Sequence, residues 1–227
     1  MRGKKYRYLL QKLEGNRLYS LHDAYSFFQE IKSNFDETVD IAVCLSKEGK
    51  QEALNIRGFV VLPHALGKTV KIAVIAKGNL AEEARKAGAD IVGDEDLVNK
   101  IENGFLGFDK LIVTPDLMGL ISKLGKTLGP KGLMPNMKLG TVSADVTKAI
   151  KDLQGGRIEF KSDKGNIIHA PVGLLSFSRD QLRDNINVFL DAISKMRPSS
   201  IKGNYIKKIV VSSTMSPGIK LDIAQLN

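Results

Sequence analysis

Two changes of hydrophobic rhythm restrict the fold of this chain more than any other feature of its sequence. In 39–45, apolar residues alternate with others, a pattern typical of strands with one buried face. After Lys68, apolar runs such as 70–76 are continuous and alternate with helical segments, which indicates a parallel sheet covered by helices on both faces. Past Gly155 and Gly156 the alternating pattern returns.

These changes predict an α/β (α+β) chain with two kinds of domain. An α/β block is expected at residues 68–156, between two pieces, 1–67 and 157–227, that are richer in hairpin signals. Each flanking piece holds few elements, so the pattern allows the two to share one core but does not establish that they do. The length of 227 residues suits one large domain or two small ones.

Local signals place the individual elements. The predicted helices begin at Ser20 with Asp23, Asn79 with Glu82, Asp94, Pro115, Ser143, and Ser178 with Gln181. The predicted strands cover 39–45, 57–62, 70–76, 90–92, 110–114, 157–161, 166–170, 205–213 and 219–223.

The charge favours a polyanionic partner. Lys and Arg number 34 against 25 Asp and Glu, a formal net charge of +9. Three stretches, 1–13, 117–144 and 192–221, carry basic residues and no acid, so each can approach phosphates without repulsion. The pattern therefore favours nucleic acid, with an acidic membrane surface as an alternative.

Enzyme chemistry finds little support. Gly67-Lys68-Thr69 and Gly125-Lys126-Thr127 both lack the earlier glycine of a phosphate loop, because Leu62 and Leu120 stand in its place. No dinucleotide fingerprint follows a strand, and the three histidines have no cysteine partners at metal spacing. We therefore expect no cofactor, no metal and no catalysis; a nucleotide-using enzyme built on the α/β block is the weaker alternative.

Membrane attachment is also unsupported. No apolar run approaches the roughly 20 residues that span a bilayer. The long helix after Ser178 carries Asp180, Asp184 and Asp191, which argues against binding to an anionic surface. The one cysteine, Cys44, cannot form an intrachain disulfide, which favours a reducing compartment. Together with the lack of a membrane-spanning run, this leads us to expect a soluble cytoplasmic protein.

Two segments resemble binding loops. The segment 125–140, GKTLGPKGLMPNMKLG, combines glycines, prolines and lysines with apolar residues that do not suit a solvated linker. The segment 212–218, SSTMSPG, lies between two strands and offers hydroxyls that can bond to phosphate or ribose oxygens.

Motifs along most of the chain resemble the L-one family of ribosomal proteins in its bacterial form. The matching stretches are GKKYRYLL, FDETVDIAV, RGFVVLPHALGKTVKIAVIAKG, EEARKAGADIVG, LGPKGLMPN, GRIEF, APVG and SSTMSP. The resemblance implies a split β-α-β sandwich domain from residues 1–67 plus 157–227, with a Rossmann-like three-layer α/β domain, 68–156, inserted into it.

The resemblance also implies a function. Members bind large-subunit ribosomal RNA as the mobile stalk, contact deacylated tRNA leaving the exit site, and in bacteria repress translation of their own operon messenger RNA. It implies no membrane partner, and a monomer within the ribosome. A hinge between the domains is expected at Gly67, Gly155 and Gly156.

By the same resemblance, the RNA-contacting residues fall into groups carried by short motifs. They are Phe35 and Thr38; Lys161, Asp163 and Lys164; Thr214, Met215 and Ser216; and, as supplementary phosphate contacts on the second domain, Lys126, Lys131 and Lys138.

The chain departs from the family pattern at three places. Ser216 replaces the usual glycine of a Thr-Met-Gly turn, where we expect its side chain to crowd the RNA backbone or to add a hydroxyl donor. Met137 replaces a proline, which should loosen its loop, and Gly165-Asn166 replaces the usual Thr-Gly order in a hairpin turn.

Overall fold

A computed structural model describes residues 4–14, 17–30, 34–46, 56–67, 70–198, 201 and 203–223. Backbone contacts divide the chain into two compact units. The first unit is Met1–Leu66 with Ile158–Asn227, and the second is Gly67–Arg157. Within the described ranges, no helix is both long enough and apolar enough to cross a membrane.

The second unit is built on a three-stranded parallel sheet of order β4-β3-β5. The strands are β3 (Ile72–Ile75), β4 (Ile91–Gly93) and β5 (Lys110–Val113). All four side chains of β3 are buried, because helices cover both faces of the sheet. The parallel arrangement predicted from the continuous apolar runs is confirmed.

The helices of this unit form two layers. On one face α3 (Asn79–Lys86) and α7 (Val146–Gln154) pack against Ile72 and Val74. On the other face lie α4 (Glu95–Glu102), α5 (Met118–Ile121) and α6 (Gly125–Leu128). Short 3-10 turns at Pro115–Leu117, Ser122–Leu124 and Met137–Leu139 complete the unit.

The first unit contains a four-stranded antiparallel sheet of order β7-β1-β8-β9. Its strands are β1 (Thr38–Leu45), β7 (Ile167–Leu174), β8 (Ile206–Ser213) and β9 (Ile219–Leu221). A separate two-stranded sheet joins β2 (Arg57–Val61) to β6 (Arg157–Lys161).

Helices cover one face of the four-stranded sheet. They are α1 (Lys4–Lys12), α2 (Leu21–Gln29) and α8 (Arg179–Lys195), and each adds residues to a single core with the inward side chains of β1. Burial alternates along β1, so Val39, Ile41 and Val43 face the core while the intervening residues face away from it.

Local starts of helices follow the sequence signals only in part. Ser20 caps α2, and Ser178 with Gln181 forms the predicted capping box of α8. The predicted cap at Asn79 is wrong, because Asn79 is already the first residue of α3. The cap position is Gly78, which has no side chain with which to cap the helix. The helix expected from Ser143 begins only at Val146.

Candidate nucleic-acid interface

One end of the four-stranded sheet brings together residues that lie far apart in the chain. Because β1 runs antiparallel to both neighbours, its first residues meet the last residues of β7 and β8: Thr38 pairs with Leu174 and Val39 with Ser213. Residues 35–38 therefore lie beside the turn 213–216. We call Phe35, Glu37, Thr38 and the turn 213–216 together the turn site.

Hydrogen bonds fix the turn site internally. The Thr38 N–H donates to Thr214 Oγ1 at 3.2 Å, and that hydroxyl lies 3.4 Å from the Thr38 carbonyl, to which it donates. The side chains of Phe35 and Met215 remain more than half exposed, at 53% and 55%. Hydrogen bonds between Thr38 and Thr214 thus join the two segments, and each segment exposes one large apolar side chain to solvent.

Ser216 does not face outward as expected. Its side chain is buried, and its Oγ accepts a hydrogen bond from the Ser213 N–H at 2.8 Å. The Ser216 hydroxyl also lies 3.1 Å from the Pro217 carbonyl. The hydroxyl is therefore used inside the turn, which argues against its serving as an added donor for RNA.

Glu37 is the residue of the turn site that sequence reasoning missed. Its side chain is fully buried, and Oε2 accepts hydrogen bonds from the Ser213 hydroxyl at 2.6 Å and from the Met215 N–H at 3.0 Å. The neighbouring Asp36 instead binds Ser176 through both carboxylate oxygens. Glu37 stands in the FDET motif, but its burial and partners depend on strand pairing.

The turn between β6 and β7 carries a second cluster, residues 161–166, which we call the hairpin site. Asp163 holds the turn closed: its Oδ1 accepts from the Ile167 N–H at 2.7 Å, and its own N–H donates to the Ile167 carbonyl at 3.0 Å. Asn166 adopts φ 61°, a left-handed conformation that Asn tolerates better than most residues. Asn166 therefore occupies a left-handed turn position of the kind that glycine usually fills.

The hairpin site is basic at its surface. Lys161 and Lys164 are exposed. Reciprocal bonds join Ile56 to Ser162, and the exposed Arg57 and Lys161 are their chain neighbours within β2 and β6, which pair with each other. Arg57 is a further cation that the sequence motifs did not single out.

The turn site and the hairpin site lie at opposite ends of β1. Thr38 pairs with Leu174 at one end, and Cys44 pairs with Ile167 at the other. At about 3.3 Å per residue, the two ends are separated by roughly 20 Å. The predicted contact residues of this unit therefore form two clusters rather than one.

The outward face of the sheet connects the two clusters. Ala42, in the middle of β1, pairs with His169 of β7 and Val210 of β8, and paired residues share a face of a sheet. His169 and Lys208 are exposed there. A partner that binds both clusters would thus cross this face.

The supplementary lysines lie on the second unit. Lys126 in α6 and Lys131 in the following turn are exposed, while the side chain of Lys138 lies outside the described part of the structure. Leu128 is fully buried and the partly buried Leu133 packs on the same core, so the segment 125–140 is anchored.

The proposed hinge glycines differ in local conformation. Gly67 and Gly156 have φ values of 64° and 89°, which favour glycine. Gly155 ends α7, and its N–H donates to the Lys151 carbonyl at 2.8 Å.

Across the described residues, no group of three or more His, Cys, Asp or Glu side chains is arranged to hold a metal ion. Besides the acids Asp36 and Asp163, whose carboxylates bond within the protein, the exposed side chains at the two clusters are apolar, hydroxyl-bearing or cationic, which are the types that contact sugars, bases and phosphates.

Comparison with known proteins decides the family. The sequence model of the ribosomal protein L1p/L10e family matches residues 27–217, a range that contains both clusters. The chain belongs to this ribosomal protein L1 family. It is 46% identical, over 97% of its own length and 94% of theirs, to the large ribosomal subunit protein uL1 of Nitratidesulfovibrio vulgaris strain DP4 and of strain Hildenborough.

These matches confirm the predicted resemblance to the L-one family and the predicted mixed α/β class. The L1 family is structural and binds ribosomal RNA, so this chain is a ribosomal protein that works in the cytoplasm and not an enzyme.

Proposed function

We propose that this L1 family protein forms the mobile stalk of the large ribosomal subunit by binding ribosomal RNA through its first unit. The observation that carries the proposal is the pair of clusters at the two ends of β1. The two relatives are named as large-subunit proteins, which supports the same assignment. In this proposal the discontinuous unit, residues 1–67 plus 157–227, is the RNA-binding domain, and 68–156 is the inserted domain.

The two clusters have different chemistry and would contribute differently. Phe35, Thr214 and Met215 at the turn site are uncharged, so they would recognise the shape and the 2′-hydroxyls of a folded RNA. Lys161 and Lys164 at the hairpin site would neutralise phosphates, a contribution that weakens as salt is added. Selectivity would therefore depend mainly on the turn site and salt-sensitive affinity on the hairpin site.

A binding titration tests this function. The full chain is titrated with a stalk-region ribosomal RNA fragment and with an unrelated duplex RNA, across a series of salt concentrations. We expect a strong preference for the stalk fragment that survives at moderate salt. Equal affinities that fall together with rising salt would show only a basic surface and would refute the proposal.

Two further activities follow from the same RNA-binding surface. The protein would repress its own operon messenger RNA by binding an RNA structure like that of the stalk, and it would contact deacylated tRNA at the exit site. Lys126, Lys131 and Lys138 would add phosphate contacts from the second unit. A messenger fragment that fails to compete with stalk RNA would exclude the repressor function.

A hinge would give the stalk its mobility. The positive φ values of Gly67 and Gly156 support hinge positions there, because glycine moves through wide ranges of backbone angle. Gly155 would contribute by releasing the last turn of α7. Interdomain distances from spin labels, with and without RNA, should change; identical distances would contradict the hinge.

A further inference from the structure

Glu37 places a buried carboxylate directly beneath the exposed part of the turn site. Its side chain has no solvent exposure, while Met215 above it is 55% exposed. Oε2 accepts two hydrogen bonds, and Oε1 is buried with no hydrogen-bond partner among the described residues. Burying an incompletely bonded carboxylate is unfavourable, which points to a role other than stability.

Glu37 Oε2 accepts its two hydrogen bonds from Ser213 and Met215, the residues on either side of Thr214. One comes from the Met215 N–H itself, at 3.0 Å, and the other from the Ser213 hydroxyl, at 2.6 Å. Glu37 thus ties both sides of Thr214 to the start of β1. A turn fixed in this way loses less conformational freedom on binding, so more of its contact energy appears as affinity.

We propose that Glu37 is the positioning residue for RNA recognition by Thr214 and Met215. Its burial keeps it from touching RNA, so it acts through the conformation of residues 213–215. This inference rests on the proposed RNA-binding function.

Asp36 provides a matched control. Its carboxylate also accepts one backbone N–H and one serine hydroxyl, both from Ser176, at 3.0 and 2.6 Å. The two acids are adjacent and make the same kinds of bond, but only Glu37 bonds to the Met215 turn. Asp36→Ala therefore measures the loss of a comparable pair of bonds in the same segment.

The test compares Glu37→Ala, Glu37→Gln and Asp36→Ala in the titration against stalk-region RNA and unrelated duplex RNA. We expect Glu37→Ala to weaken stalk RNA binding about ten-fold or more, with duplex binding unchanged, and Asp36→Ala to stay within about two-fold. Glu37→Gln keeps an acceptor oxygen and should retain most of the affinity. If Glu37→Ala does not fold, Glu37→Asp, which withdraws the carboxylate by one methylene, takes its place with a smaller expected loss.

A double substitution separates positioning from a general structural effect. If Glu37 acts through Met215, then Glu37→Ala should weaken stalk RNA binding little further in a Met215→Ala background. Additive losses, or equal effects of Glu37→Ala and Asp36→Ala, would overturn the inference. A wild-type chain without preference for stalk RNA would instead overturn the proposed function, and this inference with it.

Discussion

Asn185 allows a quantitative test of how the first unit is held together. The residue lies fully buried in α8, and its side chain makes three hydrogen bonds: it accepts from the His64 N–H at 3.0 Å and donates to the carbonyls of His64 and Val172 at 3.0 and 2.8 Å. It therefore ties the segment after β2, which leads to Gly67, to the middle of β7.

We expect Asn185→Ala to lower the free energy of unfolding of the first unit by about 3–4 kcal/mol. Three hydrogen bonds at about 1 kcal/mol each account for about 3 kcal/mol. The Val172 carbonyl, left buried without its partner, adds about 1 kcal/mol more, the low end of the cost of an unsatisfied buried acceptor.

Tyrosine emission provides the assay. The chain has no tryptophan, and all five tyrosines lie within the ranges that form the first unit, so urea unfolding followed by tyrosine fluorescence reports on that unit. Asn187→Ala is the control, because Asn187 is the same residue type in the same helix and is only partly buried. A difference below about 1 kcal/mol between the two variants would refute the assigned contribution of the three bonds.

Three further predictions concern the turn site, the hairpin site and the core. Met215→Asp should weaken stalk RNA binding about ten-fold or more while leaving the urea midpoint nearly unchanged, since the side chain is exposed; an unchanged affinity would remove Met215 from the interface. Lys164→Ala should lower the slope of log affinity against log salt by about 1 in a titration series, whereas Lys86→Ala, in α3, should not; equal slopes would contradict a phosphate contact. Burial raises the pKa of Tyr205, an effect that the charge of Arg197 partly offsets, so its stabilising contribution is present below pH 10 and is lost as pH rises through the raised value. Its hydroxyl is buried with no hydrogen-bond partner in the described structure, so Tyr205→Phe should hold or raise the unfolding free energy at pH 7 by up to about 1 kcal/mol and reduce its decline above pH 10; a loss of stability at pH 7 would show that the hydroxyl is bonded.

Local sequence patterns correctly predicted structural features that are determined by residues close together in the chain. The capping box of Ser178 and Gln181 and the alternation in β1 are such cases, because both arise within a few residues. The site required more. Glu37 contacts residues more than 170 positions away, and this proximity comes from the register of β1 against β8, which no local signal encodes.

Side-chain direction was the other quantity that motifs could not supply. Asp163 and Ser216 belong to motifs that resemble RNA contacts, yet Asp163 bonds to the backbone of its own hairpin and Ser216 to that of its own turn. Both oxygens have partners close in sequence, and short polar side chains commonly satisfy nearby backbone groups first. Motif membership alone therefore does not show which polar atoms face outward.

The position of β1 in its sheet has a consequence for synthesis of the chain. Val43 pairs with Ile168 and with Ile209, so β1 leaves the peptidyl-transfer centre long before either neighbouring strand exists. At 5–20 residues per second, this apolar strand waits on the order of ten seconds for its partners. The second unit, by contrast, is continuous in sequence and can fold during that interval. A nascent chain in which the second unit has folded still holds an unpaired β1, and an unpaired strand exposes backbone hydrogen-bonding groups that can pair with other chains.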